Sequence, residues 1–262
     1  MSLTLGRGPL AAHPSRSVNY TVDGPAHALF MQEFPRRVRA VLAGRTVFDT
    51  RRGQLLHETG LLPQLYVPVE DVATELLRPT ELSTHCPFKG DASYWTIQVG
   101  DTVAADAVWA YQDPNPDADW LRGLQAFYWD RLDEWWDEDE QVFGHLRDPY
   151  HRVDVRSSGV RVRVRYGRKV IARTTGAKVL SETGLPNRYY FPVADVTAEL
   201  VPGAKRTQCP YKGQAHYWSV VVDGETLTDA AWSVPEPLDG ARPIADHLGF
   251  EHQDLTVEVE PA

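Results

Sequence analysis

RTVFDTRRGQLLHETGLLPQLYVP at residues 45–68 and KVIARTTGAKVLSETGLPNRYYFP at residues 169–192 are two versions of one stretch. A second matching pair lies downstream, where THCPFKGDASYWT at 84–96 returns as TQCPYKGQAHYWS at 207–219. Glu58 recurs 124 residues later as Glu182, and Cys86 recurs 123 residues later as Cys209, so one deletion separates the copies. Because both copies keep unusual residues and not only an apolar pattern, they are predicted to share one fold.

The hydrophobic pattern within each copy predicts short antiparallel strands. VRAVL at 38–42 and VRVRVRY at 160–166 alternate apolar and polar residues, and each is followed by a Gly-Arg turn signal. Pro68 and Pro192 are expected to end later strands, because proline cannot donate a hydrogen bond to a neighbouring strand. The predicted fold class is therefore mainly β, with two duplicated small antiparallel β domains that resemble barrels or sandwiches with coiled sheets.

One segment between the copies has helical spacing. Over residues 117–140 the apolar positions Leu121, Leu124, Tyr128, Leu132 and Trp135 recur three or four residues apart. This spacing predicts an amphipathic helix that joins the two domains. The expected organisation is an N-terminal arm at 1–28, a first repeat domain at 29–128, a helical or irregular connector at 129–155 and a second repeat domain at 156–262.

Composition excludes several classes of protein. The net charge of -9 argues against a nucleic-acid partner, because little excess positive charge is available to displace counterions. No apolar run is long enough for a transmembrane helix, so no membrane partner is expected and a cytoplasmic location is the default. The two cysteines lie in different copies, which predicts neither a disulfide between them nor a paired-cysteine zinc motif. No cofactor is predicted.

The conserved order of ETG, Pro, Asp, CP(F/Y)KG, YW and a later Trp resembles the family called domain of unknown function 427. The resemblance covers residues 37–128 and 160–250, and the intervening segment is similar to the tandem bacterial form. It implies a small, mainly β domain. The family sometimes carries a nucleotidyltransferase-like label, but this sequence lacks a phosphate-cradling glycine loop, a carboxylate pair with metal spacing and a basic pocket.

Three polar residues recur in both copies and are candidate catalytic residues. They are Glu58, Cys86 and Lys89, with their equivalents Glu182, Cys209 and Lys212. A cysteine beside a lysine is suited to act as a nucleophile, a lysine can pair with an anionic ligand, and a glutamate can serve as a general base. The structural alternatives are a buried inert thiol and a lysine–acid ion pair that fixes a loop. We predict that each lysine forms such a pair within its own copy.

Aspartates and aromatic residues are candidate ligand-binding positions. They are Asp71, Tyr94 and Trp109, repeated as Asp195, Tyr217 and Trp232. The tyrosines should face away from Trp95 and Trp218, because adjacent strand residues point to opposite faces, and so could line a cleft. The alternatives are a capping role for the aspartates and core packing for the tryptophans. His57 and His85 do not recur in the second copy, which disfavours a metal site.

Three hypotheses about function remain open from these residues. The first is a small-molecule enzyme or an enzyme-like pocket in each copy, with Glu, Lys and Cys supplying the polar chemistry. The second is a non-catalytic module that binds a small molecule or a peptide in an aromatic cage, and the third is a structural or interaction protein. For the first copy we predict a concave site lined by Glu58, Cys86, Lys89 and Tyr94, and covered by the helix predicted at 118–140.

Overall fold

The computed structural model describes residue 19 and residues 24–260, and the chain divides into two compact units between Asp148 and Pro149. The strands of the first unit are β1 (Leu29–Glu33), β2 (Val38–Leu42), β3 (Arg45–Thr50), β4 (Gln54–Glu58), β5 (Gln64–Pro68), β6 (Leu77–Cys86), β7 (Gly90–Val99), β8 (Thr102–Ala110), β9 (Leu124–Phe127), β10 (Glu134–Asp137) and β11 (Glu140–Val142). Its short 3-10 helices are Val69–Asp71, Thr74–Leu76, Pro116–Leu121 and Trp129–Arg131.

The second unit repeats most of these elements in the same order. Its strands are β12 (Val153–Ser157), β13 (Arg161–Tyr166), β14 (Lys169–Thr174), β15 (Lys178–Glu182), β16 (Arg188–Pro192), β17 (Glu199–Cys209), β18 (Gly213–Val222), β19 (Glu225–Ser233), β20 (His247–Phe250) and β21 (Leu255–Glu260). Its 3-10 helices are Val193–Asp195 and Asp239–Ile244. As predicted, Pro68 and Pro192 are the last residues of β5 and β16.

Each unit contains one large antiparallel sheet and one small one. The strand order is β1-β4-β5-β9-β8-β7-β6 beside β11-β10-β2-β3 in the first unit, and β12-β15-β16-β20-β19-β18-β17 beside β14-β13-β21 in the second. Equivalent strands occupy equivalent places in both large sheets. The duplication predicted from the sequence is therefore confirmed at the level of topology.

Alternation along the strands gives each large sheet two apolar faces. In the first unit Leu55 and Leu65 join the core that the two sheets share, while their neighbours Leu56 and Tyr66 lie in a separate cluster on the other face. Tyr94 belongs to that second cluster and Trp95 packs against the shared core, so the predicted opposite orientation of these neighbours is confirmed. The second face carries the candidate site.

The helix predicted over residues 117–140 is wrong. The segment forms the 3-10 helix Pro116–Leu121, then β9, a second 3-10 helix and the hairpin of β10 and β11. Gly123 adopts a left-handed φ of 76°, which interrupts a helix, and Trp135 pairs across the sheet with Ala40 of β2. Strand pairing thus overrides the helical spacing, which arose from apolar residues of several short elements.

Two further expectations need correction. The segment predicted as a connector at 129–155 includes part of the first unit, because β10 pairs with β2 as β21 pairs with β13 in the second. The sheets are also not coiled into barrels. Over residues 24–260 each large sheet stays open, with β1 and β6, or β12 and β17, at its two edges.

Candidate ligand site

A buried ion pair lies at the end of β4 in the first unit. Nζ of Lys89, in the turn between β6 and β7, is 2.6 Å from Oε1 of Glu58, and the two side chains are 10% and 8% exposed. In the second unit Nζ of Lys212 is 2.5 Å from Oε2 of Glu182. The prediction that each lysine pairs with an acid of its own copy is confirmed. Such a pair is held by mutual charge compensation, since either ion alone would be costly to bury.

A histidine that was not predicted from the sequence completes each pair. Nε2 of His27 is 3.3 Å from Oε2 of Glu58, and Nε2 of His151 is 3.1 Å from Oε1 of Glu182. We call His27–Glu58–Lys89 and His151–Glu182–Lys212 the polar triads. The two histidines are 124 residues apart, the same offset as the two glutamates, and this spacing was the available signal. The predicted organisation places His27 in the N-terminal arm and His151 in the connector.

The threonine and glycine of the ETG motif position the histidine. Oγ1 of Thr59 accepts a hydrogen bond of 2.9 Å from the backbone N–H of Ala28, the residue after His27. The equivalent bond from Arg152 to Oγ1 of Thr183 measures 2.8 Å. The glycine that follows each threonine adopts a left-handed φ. The motif therefore holds the glutamate and, across the sheet, the backbone that carries the histidine.

The CP(F/Y)KG motif positions the lysine and covers the histidine. Its aromatic residue packs on the histidine ring, with centroids 4.2 Å apart for His27 and Phe88 and 4.1 Å apart for His151 and Tyr211. Its glycine is required by the backbone, because φ is 105° at Gly213 and a Cβ there would lie 2.8 Å from the carbonyl oxygen of Glu236. The two motifs together build one polar triad on each large sheet.

The triad in the second unit keeps its carboxylate ionised. Burial by itself would raise the pKa of Glu182, but hydrogen bonds from His151 and Lys212 outweigh burial and lower this pKa to about 2. Glu182 is therefore charged throughout the physiological pH range. A carboxylate with so low a pKa is a weak proton acceptor at neutral pH.

A cavity of about 440 Å³ lies against this triad. Glu182 and Lys212 form part of its wall, and Cys209 lies beside them. The remaining wall combines aromatic and aliphatic side chains with charged ones. Its other lining side chains include Tyr190, Tyr217, Trp232, Ala215, Val234, Leu185 and Thr207.

Two more ion pairs belong to the wall of this cavity. Nη1 of Arg188 is 2.7 Å from a carboxylate oxygen of Glu251, and Nζ of Lys205 is 3.7 Å from one of Asp229. Each cation also lies over an aromatic ring. The Arg188 guanidinium is 5.3 Å from the Trp232 ring centroid, and the Lys205 ammonium is 4.3 Å from that of Tyr217.

The equivalent space in the first unit is surrounded by larger aromatic side chains. Tyr111 stands where the second unit has Val234, and its ring centroid is 5.4 Å from Nζ of Lys89. Tyr128 replaces Glu251 and packs on Trp109 with centroids 4.6 Å apart. Burial raises the pKa of Tyr111 far above its ordinary value, so its hydroxyl is neutral. Aromatic rings therefore pack beside the lysine and the histidine of the first triad, and the second triad lines a cavity.

The structure places the predicted site residues in two locations. Cys86, Tyr94 and Trp109 lie in the apolar cluster on the triad-bearing face of the first unit, and their equivalents line the cavity of the second. Asp71 instead accepts hydrogen bonds from Thr50 at 2.6 Å and from Arg52 at 2.7 Å, which ties it to β3 and the turn that follows. Its equivalent Asp195 is not among the described residues that line the cavity.

The two histidines of the first copy that do not recur in the second have separate environments. His57 is fully buried against Phe30, and burial lowers its pKa. His85 is exposed and lies 2.6 Å from Asp91. Within the described residues, no group of three or more His, Cys, Asp or Glu side chains is arranged to share a metal ion.

The chain belongs to the family described as Domain of unknown function (DUF427), which it matches twice in tandem, over residues 30–138 and 154–261. No curated protein matches the chain. In the part of the chain that the structure describes, no helix has the length and apolar character needed to cross a bilayer.

Proposed function

We propose that this protein binds a small molecule in the cavity of its second unit, with Glu182 and Lys212 at the polar end of the site. The observation that supports the proposal is the coincidence of the cavity with the triad: a buried ion pair opens onto about 440 Å³ of space with aromatic walls. Ligand sites typically combine an apolar, concave wall with a few convergent polar groups.

The chemistry of the triad favours binding over acid–base catalysis. Glu182 has a pKa of about 2 and so has little tendency to take a proton from a substrate at neutral pH. Lys212 donates to Glu182, and an ammonium group has two further donors for a ligand. The triad therefore acts as a fixed, charged hydrogen-bonding surface.

A screen of small aromatic and aliphatic compounds by ligand-observed NMR tests this proposal on the full chain. Ala215→Phe places a ring in the cavity from β18, and Val201→Phe introduces the same ring at an exposed position of β17. We expect hits whose signals are lost with Ala215→Phe and retained with Val201→Phe. Hits that bind both variants equally would place the ligand elsewhere and overturn the proposal.

Catalysis through the cysteine is the second candidate, because Cys209 and Lys212 line the same cavity. A thiolate stabilised by a neighbouring cation would react quickly with an alkylating agent. Iodoacetamide labelling at pH 7, followed by peptide mass analysis, compares Cys209 with free glutathione. Labelling faster than glutathione, and suppressed by a bound hit from the screen, would favour an enzyme; slower labelling would favour the binding protein.

A further inference from the structure

We propose that the ligand is an organic anion attached to a flat ring, and that Arg188 and Lys205 select its anionic group. This inference rests on the proposed binding function and specifies the class of ligand. A carboxylate or a phosphate ester on an aromatic ring has the required chemistry. The anion would lie at the edge of the cavity and the ring between the aromatic walls.

The first argument is the difference in charge between the two units. Arg188 and Lys205 stand where the first unit has Gln64 and Leu82, and Glu251 stands where it has Tyr128. The other charged residues of the cavity wall, Glu182, Lys212 and Asp229, have identical equivalents in the first unit. The second site has therefore gained two cations and one acid beside a cavity, which shifts its local charge toward positive and favours an anion.

The second argument is that the acids paired with these cations can be exchanged. The Glu251 side chain is 67% exposed, and the Lys205–Asp229 contact is long at 3.7 Å. The side chains of Arg188, Lys205 and Asp229 are 35%, 48% and 26% exposed. Ion pairs with such access to solvent contribute only about 0–1 kcal/mol, so a ligand can replace them at small cost. Asp229 also has a backbone role, because it and its equivalent Asp106 both adopt a positive φ within bulged strands.

The third argument is the position of the rings. The centroids of Tyr217 and Trp232 are 6.4 Å apart, and Lys205 and Arg188 lie over these two rings. A guanidinium group can hold a carboxylate or phosphate through two parallel hydrogen bonds. An anion bound there keeps any ring attached to it beside Tyr217 and Trp232, where aromatic contact stabilises it.

Four matched compounds test the inference: benzoate, phenyl phosphate, benzamide and benzylamine, each titrated into the full chain and followed by NMR. We expect benzoate and phenyl phosphate to bind at least about tenfold more tightly than benzamide, as charge-assisted hydrogen bonds would provide. Arg188→Gln and Lys205→Leu, which restore the first-unit residues, should each weaken benzoate binding about fivefold or more. Arg161→Gln and Lys169→Leu make the same charge changes at residues that do not line the cavity, and they should alter benzoate binding less than about twofold.

Different results would contradict the anionic class of the ligand and the binding function on which it rests. Tighter binding of benzamide or benzylamine, with loss in Ala215→Phe, would overturn the anionic class and leave the binding function standing. Benzoate binding that Arg188→Gln and Lys205→Leu do not weaken would also overturn it. If none of the four compounds binds while the wider screen yields cavity hits, the aromatic anion is again excluded. Unchanged benzamide affinity in the variants would confirm that their cavity is intact.

Discussion

At the scale of single residues, the lysine of each triad pairs with a glutamate whose carboxylate would be costly to bury without a cation. Lys212→Met would leave Glu182 buried with only His151 beside it, and breaking such a pair costs about 3 kcal/mol or more. The double variant Glu182→Gln/Lys212→Met should lose less, because no unpaired ion remains. Urea unfolding measures the free energy of unfolding of the single and the double variant.

Lys169→Met is the matched control for that prediction. Its ammonium pairs with Asp223 at 2.5 Å, but the two side chains are 52% and 64% exposed. Loss of an exposed pair should cost less than about 1 kcal/mol. A Lys212→Met variant as stable as Lys169→Met would show that the buried pair contributes nothing to folding.

The low pKa of Glu182 also predicts a pH dependence of stability. The folded pKa of about 2 lies below the ordinary value of 4.5, so the folded state favours the ionised form. The stabilisation is complete above pH 4.5 and is lost as the pH falls from 4.5 toward 2, to a total of up to about 3 kcal/mol.

Unfolding free energies of the wild type and Glu182→Gln, measured between pH 7 and pH 2, check this dependence. The difference between the two proteins should stay constant above pH 4.5 and change steadily below it, in the direction that costs the wild type stability. Parallel curves across the acidic range would mean that Glu182 titrates at the same pH when folded and unfolded.

Residue patterns could predict part of this site. The recurrence of Glu58 and Lys89 as Glu182 and Lys212 was enough to predict two ion pairs, because surface charges have no reason to recur together. His27 and His151 lie outside the motifs, just before β1 and β12, and come close to the glutamates only because these strands pair with β4 and β15. The side chains around each triad could not be predicted from the motifs, since Val234 in the second unit and Tyr111 in the first lie outside them.

At the scale of elements, the turn between β17 and β18 depends on its glycine. Gly213→Ala would combine a strained φ of 105° with a Cβ only 2.8 Å from a backbone oxygen. Gly224→Ala in the next turn, at a φ of 84°, meets no atom within 4 Å. We expect a loss of about 1 kcal/mol for Gly224→Ala and clearly more for Gly213→Ala, measured by thermal or urea unfolding. Equal losses would show that crowding at Gly213 is relieved without cost.

Strand β10 provides a test of the corrected secondary structure. Trp135 is 3% exposed and stacks on Trp129 with centroids 4.2 Å apart, whereas Trp136 points to the other face, over Arg39. Trp135→Ala should cost about 3–5 kcal/mol, and Trp136→Ala much less. Comparable losses from the two substitutions, measured by urea unfolding, would contradict the strand alternation.

The same strand shows why local pattern misled the helix prediction. In 117–140 the apolar spacing of three and four residues is real, but its members belong to a 3-10 helix, two strands and their turns. Pairing with β2, which is distant in sequence, decides the conformation. The strands with unambiguous alternation, β2 and β13, were predicted correctly because their period needs no partner to be recognised.

At the scale of the whole molecule, duplication has kept one topology and one triad while the surroundings of the triad diverged. The strand order could be predicted to be the same in both copies, and it is. The different surroundings of the two triads could not, because they depend on a few side chains that the motifs do not include. Tyr111 and Val234 occupy equivalent positions beside the two triads. Tyr111 lies over Lys89, and Val234 lines the cavity.

Reciprocal exchange of that pair tests whether side chains alone distinguish the two sites. Val234→Tyr places a ring over Lys212 on a backbone that tolerates tyrosine in the first unit, so the protein should stay folded while compounds from the screen lose binding. Tyr111→Val removes a buried ring and should destabilise the first unit by about 3 kcal/mol, because a cavity remains beside Lys89. NMR titration and urea unfolding measure the two effects. A folded Val234→Tyr protein that binds the screened compounds as the wild type does would show that the cavity beside the second triad is not where the ligand lies.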